Sequence, residues 1–220
     1  ATAFRKYLSG WIYYTFSPDR IRFGWRDNSV AGLALQPHGE NLATVLYYLK
    51  NVDERRYRRI IDHVRLIEPD LELINFSPTP DRTIVPYVGL KGGQAASWQT
   101  LSDGTLRYLA LATVVELVGV SSNHRHAAPS FLVLIEEPEN GIWPGQLRTL
   151  IDLTEEWAPT AQFIFTSHSP YFINLFDAAR ESVTLLRRRN ERTEIATPPP
   201  PEDDPDRPLL AEQFSMELFD

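Results

Sequence analysis

The chain has 220 residues, 43% of them apolar, and a formal net charge of −7. That is enough apolar material for a core and enough length for one large domain or two small ones, so a disordered chain is excluded. The absence of cysteine excludes a disulfide-stapled domain and a cysteine-bearing zinc site, and the acidic balance argues against a surface that is basic throughout while leaving room for a local nucleic-acid groove.

In chain order, residues 1–38 are aromatic-rich and irregular. WIYYTF (11–16) reads as a strand closed by the turn residues Ser17-Pro18-Asp19. Asn41 to Lys50 sets Leu42, Val45, Leu46 and Leu49 at helix spacing. A second helix over Asp53 to Ile67 buries Tyr57, Ile60, Ile61 and Val64, and its other faces carry Arg55, Arg56, Arg58, Arg59 and Arg65. Those arginines read as a solvated face, with a phosphate-contacting patch as the alternative. LELINF (71–76) and RTIVPYVGL (82–90) pair as strands at a sheet edge, which Pro86 favours. LKGGQAASWQT follows as a loop.

Ser102 caps a long helix running to about Val118, with Leu106, Leu109, Ala110, Val114 and Leu117 inward. Its apolar stretch, Tyr108 to Val120, holds Glu116 and falls short of the roughly 18 residues of a membrane span. No secretory leader is visible. The expectation is a soluble, cytoplasmic protein with no membrane partner. SSNHRHAAPS is a linker. Phe131 to Ile135 does not alternate and reads as a strand buried on both faces. A helix starts near Pro144, QFIFTS (162–167) is a second apolar strand, and another helix starts at Ser169-Pro170. SVTLLRR and RTEIAT form a closing hairpin, TPPPPEDDPDRP is a linker, and LLAEQFSMELF a docking helix. The alternation of helix and strand between 102 and 176 implies a parallel α/β sheet. Three segments follow: 1–100 with strands and the arginine-rich helix, 101–197 as the α/β core, and 198–220 as linker and terminal helix.

Ligands of open parallel sheets sit beyond the carboxyl ends of the strands. Glu136 and Glu137 end one such strand and His168 ends the next. Two adjacent carboxylates repel, and a bound cation offsets that cost. Magnesium takes one or two carboxylates together with phosphate oxygens. One acid can therefore serve the metal, the other can orient an attacking water, and the histidine can bond a terminal phosphate. The plainer readings are acids at a helix N-terminus and a structural histidine. LSDGT (101–105) opens the long helix and offers backbone N–H groups of Ser102, Asp103, Gly104 and Thr105 to an anion; a plain helix cap is the alternative. An aspartate suits phosphate there only if its side chain faces away.

LSDGT resembles the signature motif of ABC-type ATPases, LVLIEEPENG resembles a Walker B strand with its D-loop, and TSHSP resembles the switch-histidine loop. With GENLATVLYYLK upstream, these spellings are similar to those of the RecF/SMC-like, AAA-family ATPases of bacteria, over residues 36–190. The resemblance implies a P-loop NTPase-like (ABC-type) parallel sheet flanked by helices, with a small mixed β/helical N-terminal portion. It implies ATP and Mg2+ as cofactors. Glu136 takes the Walker B position that serves magnesium, Glu137 the catalytic base, and His168 the switch histidine. Asn140 and Gly141 fall in the D-loop, and Ser102 and Gly104, with Asp103 and Thr105 around them, meet the ATP of the opposite subunit of a homodimer. The family points to DNA repair and maintenance or to anti-phage defence, with DNA as a possible partner.

A Walker A loop needs G-x-x-x-x-G-K-[ST]. Lys6, Lys50 and Lys91 are followed by Tyr7, Asn51 and Gly92, so none fills that place. The expectation is the C-terminal lobe of a longer ATPase whose Walker A lobe lies upstream or in a partner protein, the isolated chain binding ATP poorly. Two other readings stand beside it: a non-catalytic interaction module with relic motifs, and a metal-dependent nuclease using Glu136, Glu137 and Glu139.

Overall fold

The computed structural model describes residues 11–24, 34–79, 84–122, 132–177, 179, 182–189, 191–196 and 209–212. The chain divides into two compact units, Ala1–Thr166 and Ser167–Asp220.

The first unit holds a parallel sheet, an antiparallel sheet and a set of helices. Strand β1 (Trp11–Tyr14) lies in parallel beside β5 (Leu132–Glu136), which lies in parallel beside β6 (Gln162–Thr166), so β5 is central. Tyr14 aligns with Ile135 and Ile135 with Phe165. One face of this sheet is buried through Tyr14, Val133 and Ile135. The other carries Trp11, Tyr13 and Ile164, which are 48%, 50% and 42% exposed. The expectation of strands buried on both faces is therefore corrected: an unbroken apolar run permits double burial, but it is neighbouring elements that decide it. Phe131 lies outside the described residues.

The antiparallel sheet joins β2 (Leu71–Pro78), β3 (Ile84–Leu90) and β4 (Gln94–Ser97). The first pair forms as expected, but β3 is the middle strand and not an edge; Pro86 is tolerated there because β4 pairs only with Tyr87 to Leu90. The strand β4 falls inside the segment read as a loop, because Gly92 and Gly93, both at positive φ, turn the chain back onto β3. Likewise Ser17-Pro18-Asp19 does not merely close β1. It opens α1 (Pro18–Gly24), with proline in the first turn, where its missing N–H costs no hydrogen bond.

Helices α2 (Leu42–Val52), α3 (Glu54–Val64), α4 (Asp103–Ser122) and α5 (Leu147–Trp157) complete the unit. A short 3-10 turn, Pro144–Gln146, leads into α5, so the proline expected in the first α-helical turn sits just before it. Helix α4 is the centre of the core. Leu106, Tyr108, Leu109, Leu111, Ala112, Val114 and Val115 are all buried, so it is apolar around its whole circumference rather than along one stripe. It packs against α1, α2, α3 and α5. At Gly119 a side chain would lie 2.0 Å from the Trp157 carbonyl oxygen, so this glycine sets the spacing of α4 and α5.

The arginines of α3 do not form one solvated face. Glu116 of α4 is 1% exposed and is held by Arg56 Nε at 3.2 Å and Arg59 Nη1 at 3.3 Å. Arg56 Nη2 also donates to the Glu116 carbonyl at 3.0 Å. Arg59 stacks 4.4 Å over Trp157, and His63 meets the same ring edge-on. The reading holds for Arg58, which pairs with Glu54 on the surface. Burial pushes the Glu116 carboxyl up even against the pull of Arg59 and Arg56.

The second unit contains α6 (Pro170–Asn174) and the antiparallel hairpin of β7 (Leu185–Arg189) and β8 (Arg192–Ala196). The buried Leu210 donates its N–H to Asp177 Oδ1 at 3.1 Å. The linker residues 123–130 and most of 198–220 lie outside the described residues. No helix among the described residues is long and apolar enough to cross a membrane.

Two stability outcomes follow. Glu116→Ala strands Arg56, whose side chain is 12% exposed, and should cost about 3–5 kcal/mol in urea unfolding; an unchanged midpoint would refute the buried pairing. His63 has its pKa lowered, first by burial and then by Arg59, against the opposing pull of Glu156. The unfolded chain therefore binds the proton more readily. Stability should fall as pH drops below the ordinary histidine value of about 6.5, and His63→Gln should flatten that slope.

Candidate functional site

The site is built at the carboxyl end of the central strand β5. Glu136 closes the strand opposite Thr166 of β6. Glu137 leaves it at a φ of 44°, a left-handed conformation uncommon outside glycine. Its N–H donates to the Thr166 carbonyl at 2.9 Å, one step beyond the strand ladder. The chain then turns, with Asn140 N–H donating to the Glu137 carbonyl at 3.2 Å and Ile142 N–H to that of Glu139 at 2.9 Å. The two carboxylates receive different partners. Tyr13, from the adjacent strand β1, donates its hydroxyl to Glu136 Oε2 at 2.5 Å. Asn140 donates its side-chain amide to Glu137 Oε2 at 2.6 Å. The hydrogen bond to Glu136 raises the Tyr13 pKa, keeping the phenol protonated as a donor.

The N-terminus of α4 forms the opposite rim. Ser102 caps it as expected, accepting the Thr105 N–H at 3.0 Å. Thr105 is buried and donates its hydroxyl to Glu68 Oε2 at 3.1 Å. Gly104 is glycine because Gly141 approaches it: a side chain there would lie 2.0 Å from the Gly141 carbonyl oxygen. Gly141, at a φ of 76°, supplies the turn that brings its carbonyl in. The close approach anticipated for a phosphate is thus made by the chain itself.

Asp103, the first residue of α4, is engaged by α1. Arg22 of α1, 15% exposed, reaches its carboxylate at 2.7 Å. The same guanidinium donates to the carbonyls of Gln99 at 3.2 Å and Leu101 at 3.0 Å and pairs with Asp19 at 3.2 Å. It thereby fixes the loop that enters α4.

A polar cleft of about 560 Å³ lies between these rims. Glu136, Glu137, Asn140 and Asp103 line it together, joined by Arg107, His38 and the turn 15–20. His38 is fixed by a ring contact to the Thr15 carbonyl at 3.0 Å. Ser102, Gly104, Thr105 and Gly141 support the rim rather than line the cleft. His168 is exposed, two residues past β6 and at the start of the second unit. Sequence reading missed Tyr13, Arg22, His38 and Arg107. Only Arg107 carried a local signal, standing one helical turn beyond Asp103.

The donor set is all oxygen, with one carboxylate at an open strand end and a second beside it. Among the described residues no three metal-ligating side chains converge. Such a pair suits magnesium, which takes one or two carboxylates and completes its shell from phosphate and water.

The parallel sheet carries paired acids at its carboxyl rim, where ligands of such sheets bind, opposite a capped helix start. Residues 14–174 match the family described as "AAA domain, putative AbiEii toxin, Type IV TA system", and the chain belongs to that family. It is 24% identical over 149 residues to the "Retron Vc95 probable ATPase" of Vibrio cholerae serotype O1 biovar El Tor, across 66% of this chain. That match spans 28% of the relative's own length. The fold matches a structure described under "ATP-driven dimerization and DNA stimulated activation of SMC ATPases". The TM-score is 0.50 at 12% identity, over 80% of this chain and 98% of that one. It also resembles an Smc head bound to the C-winged helix domain of ScpA, at a TM-score of 0.47 and 13% identity, over 72% and 46% of the two chains.

Gly104→Ala should lower stability by about 1–3 kcal/mol, since backbone rather than a flexible side chain occupies the space. Urea unfolding measures it, and a neutral result would show that the two rims can separate without loss.

Proposed function

We propose that the cleft is the catalytic face of an ATP-hydrolysing, ABC-type ATPase that dimerises on ATP. The carrying observation is the split of the two acids: Glu136 bonded to Tyr13 and Glu137 bonded to Asn140. Glu136, with its carboxylate at the strand tip, is the group that would hold magnesium. When bound, that ion neutralises charge on the nucleotide phosphates. Glu137, aimed by Asn140 and by its backbone turn, orients the attacking water and takes its proton. His168 follows β6 as the switch histidine of the second unit.

The D-loop residues Asn140 and Gly141 precede Trp143, which is 71% exposed. A large bare aromatic beside the D-loop supports association with a second subunit there. In that dimer, Ser102 and the N–H groups of α4 meet the nucleotide of the opposite subunit. The phosphate loop comes from a Walker A lobe or partner protein outside these residues, since no lysine here stands in G-x-x-x-x-G-K-[ST]. The retron ATPase and the DNA-stimulated SMC ATPases among the similar proteins support a cytoplasmic role in anti-phage defence or DNA maintenance. The missing lysine also favours a second reading, an interaction module that keeps the fold without turnover.

Glu137→Gln in the full-length protein decides between them. ATP hydrolysis, read as phosphate release, should fall by about 10²–10⁴-fold, and the nucleotide-bound dimer should persist in light scattering. Normal turnover in this variant would remove Glu137 from the chemistry; no turnover in the unsubstituted protein would favour the interaction module.

A further inference from the structure

We infer that Arg107 is an anion-binding residue of the cleft, taking a phosphoryl group of the nucleotide. The inference rests on the reading of the cleft as a nucleotide site and adds a residue to it. Arg107 stands in the second turn of α4, is half-buried, and lines the cleft with Glu136, Glu137 and Asp103. Its Nε is buried with no hydrogen-bond partner, and among the described residues its guanidinium has no ion pair. A buried, charged donor without an acceptor is costly and needs an explanation.

Four acids, Asp19, Asp103, Glu136 and Glu137, line the cleft, and each is already engaged, Asp19 with Arg22 at 3.2 Å. Asp103, four residues before Arg107, is its natural partner on the helix, but its carboxylate is drawn to Arg22 at 2.7 Å. Glu136 accepts from Tyr13 and Glu137 from Asn140. The arrangement withholds local carboxylates from Arg107, which lines the cleft with its Nε unsatisfied. The acceptor that suits its planar fork of donors is a phosphoryl group, which a guanidinium binds through two parallel hydrogen bonds. The positive charge also offsets the repulsion that Glu136 and Glu137 present to an entering polyphosphate.

The test uses the full-length protein, with MgATP at 10 mM as the probe and thermal unfolding as the readout. Adenosine, and sodium sulfate at equal ionic strength, serve as controls. MgATP should raise the melting temperature of the unsubstituted chain by about 2–4 °C if 10 mM is several-fold above the dissociation constant; adenosine and sulfate should not. Arg107→Met should lose that shift while its ligand-free melting temperature is unchanged or higher, because an unpaired charge has been removed. Arg107→Lys keeps the charge without the fork and should show a reduced shift.

Four results overturn the inference. They are no MgATP shift in the unsubstituted chain, an equal shift with sulfate, an undiminished shift in either variant, or a ligand-free melting temperature in Arg107→Met lowered by more than about 4 °C, the mark of a structural arginine. The ATPase reading fails separately, through turnover that survives Glu137→Gln. Loss of binding in Arg107→Met would stand whatever that experiment returned.

Discussion

The two loops of the site meet through backbone alone, at Gly104 and Gly141. The carbonyl oxygen of Gly141 occupies the place that any side chain on Gly104 would take. This contact locks the start of α4 to the turn that follows β5. The start of the buried helix and the end of the central strand are thereby held close together, with the cleft beside them. Under the proposed reading that closeness matters, because the donors of a phosphate-binding rim act only if they are already in place when charge develops.

Around the contact, the charges are distributed so that each acid has its own task. Arg22 neutralises Asp103 and ties down the carbonyls of Gln99 and Leu101. Tyr13 and Asn140 take one oxygen each from Glu136 and Glu137. The same economy appears deeper in the unit, where Glu116 binds Arg56 and Arg59 while Trp157 supports Arg59 and His63. Glu116, a carboxylate that would be costly alone, is tolerated because guanidinium groups from a different helix reach it.

Much of this architecture is legible along the chain. The helix periods of α2 and α3, the Ser102 cap, the β2–β3 pair and the β7–β8 hairpin all arise from neighbours a few residues apart. So does the motif trio on which the family resemblance rests. The misreadings share a cause. Helix α1 was hidden by turn-forming residues that are equally good helix starters. The strand β4, four residues long, owes its place to pairing with β3 and not to its own propensity. Arg56 looks solvated on a helical wheel, and only the packing of α4 puts a buried acid against it.

By itself the sequence determined which residues could be chemical: two adjacent glutamates at a strand end, a glycine-bearing helix start, and no lysine in a Walker A setting. These are local facts, set by covalent order and short-range geometry. Tertiary structure alone decided that β1 lies beside β5, bringing Tyr13 to Glu136 across 123 positions of sequence. It also decided that Arg22 reaches Asp103 over 81 positions. Such contacts depend on how buried apolar faces stack, and the resulting charge pattern is a property of the packed core that no stretch of the chain carries on its own.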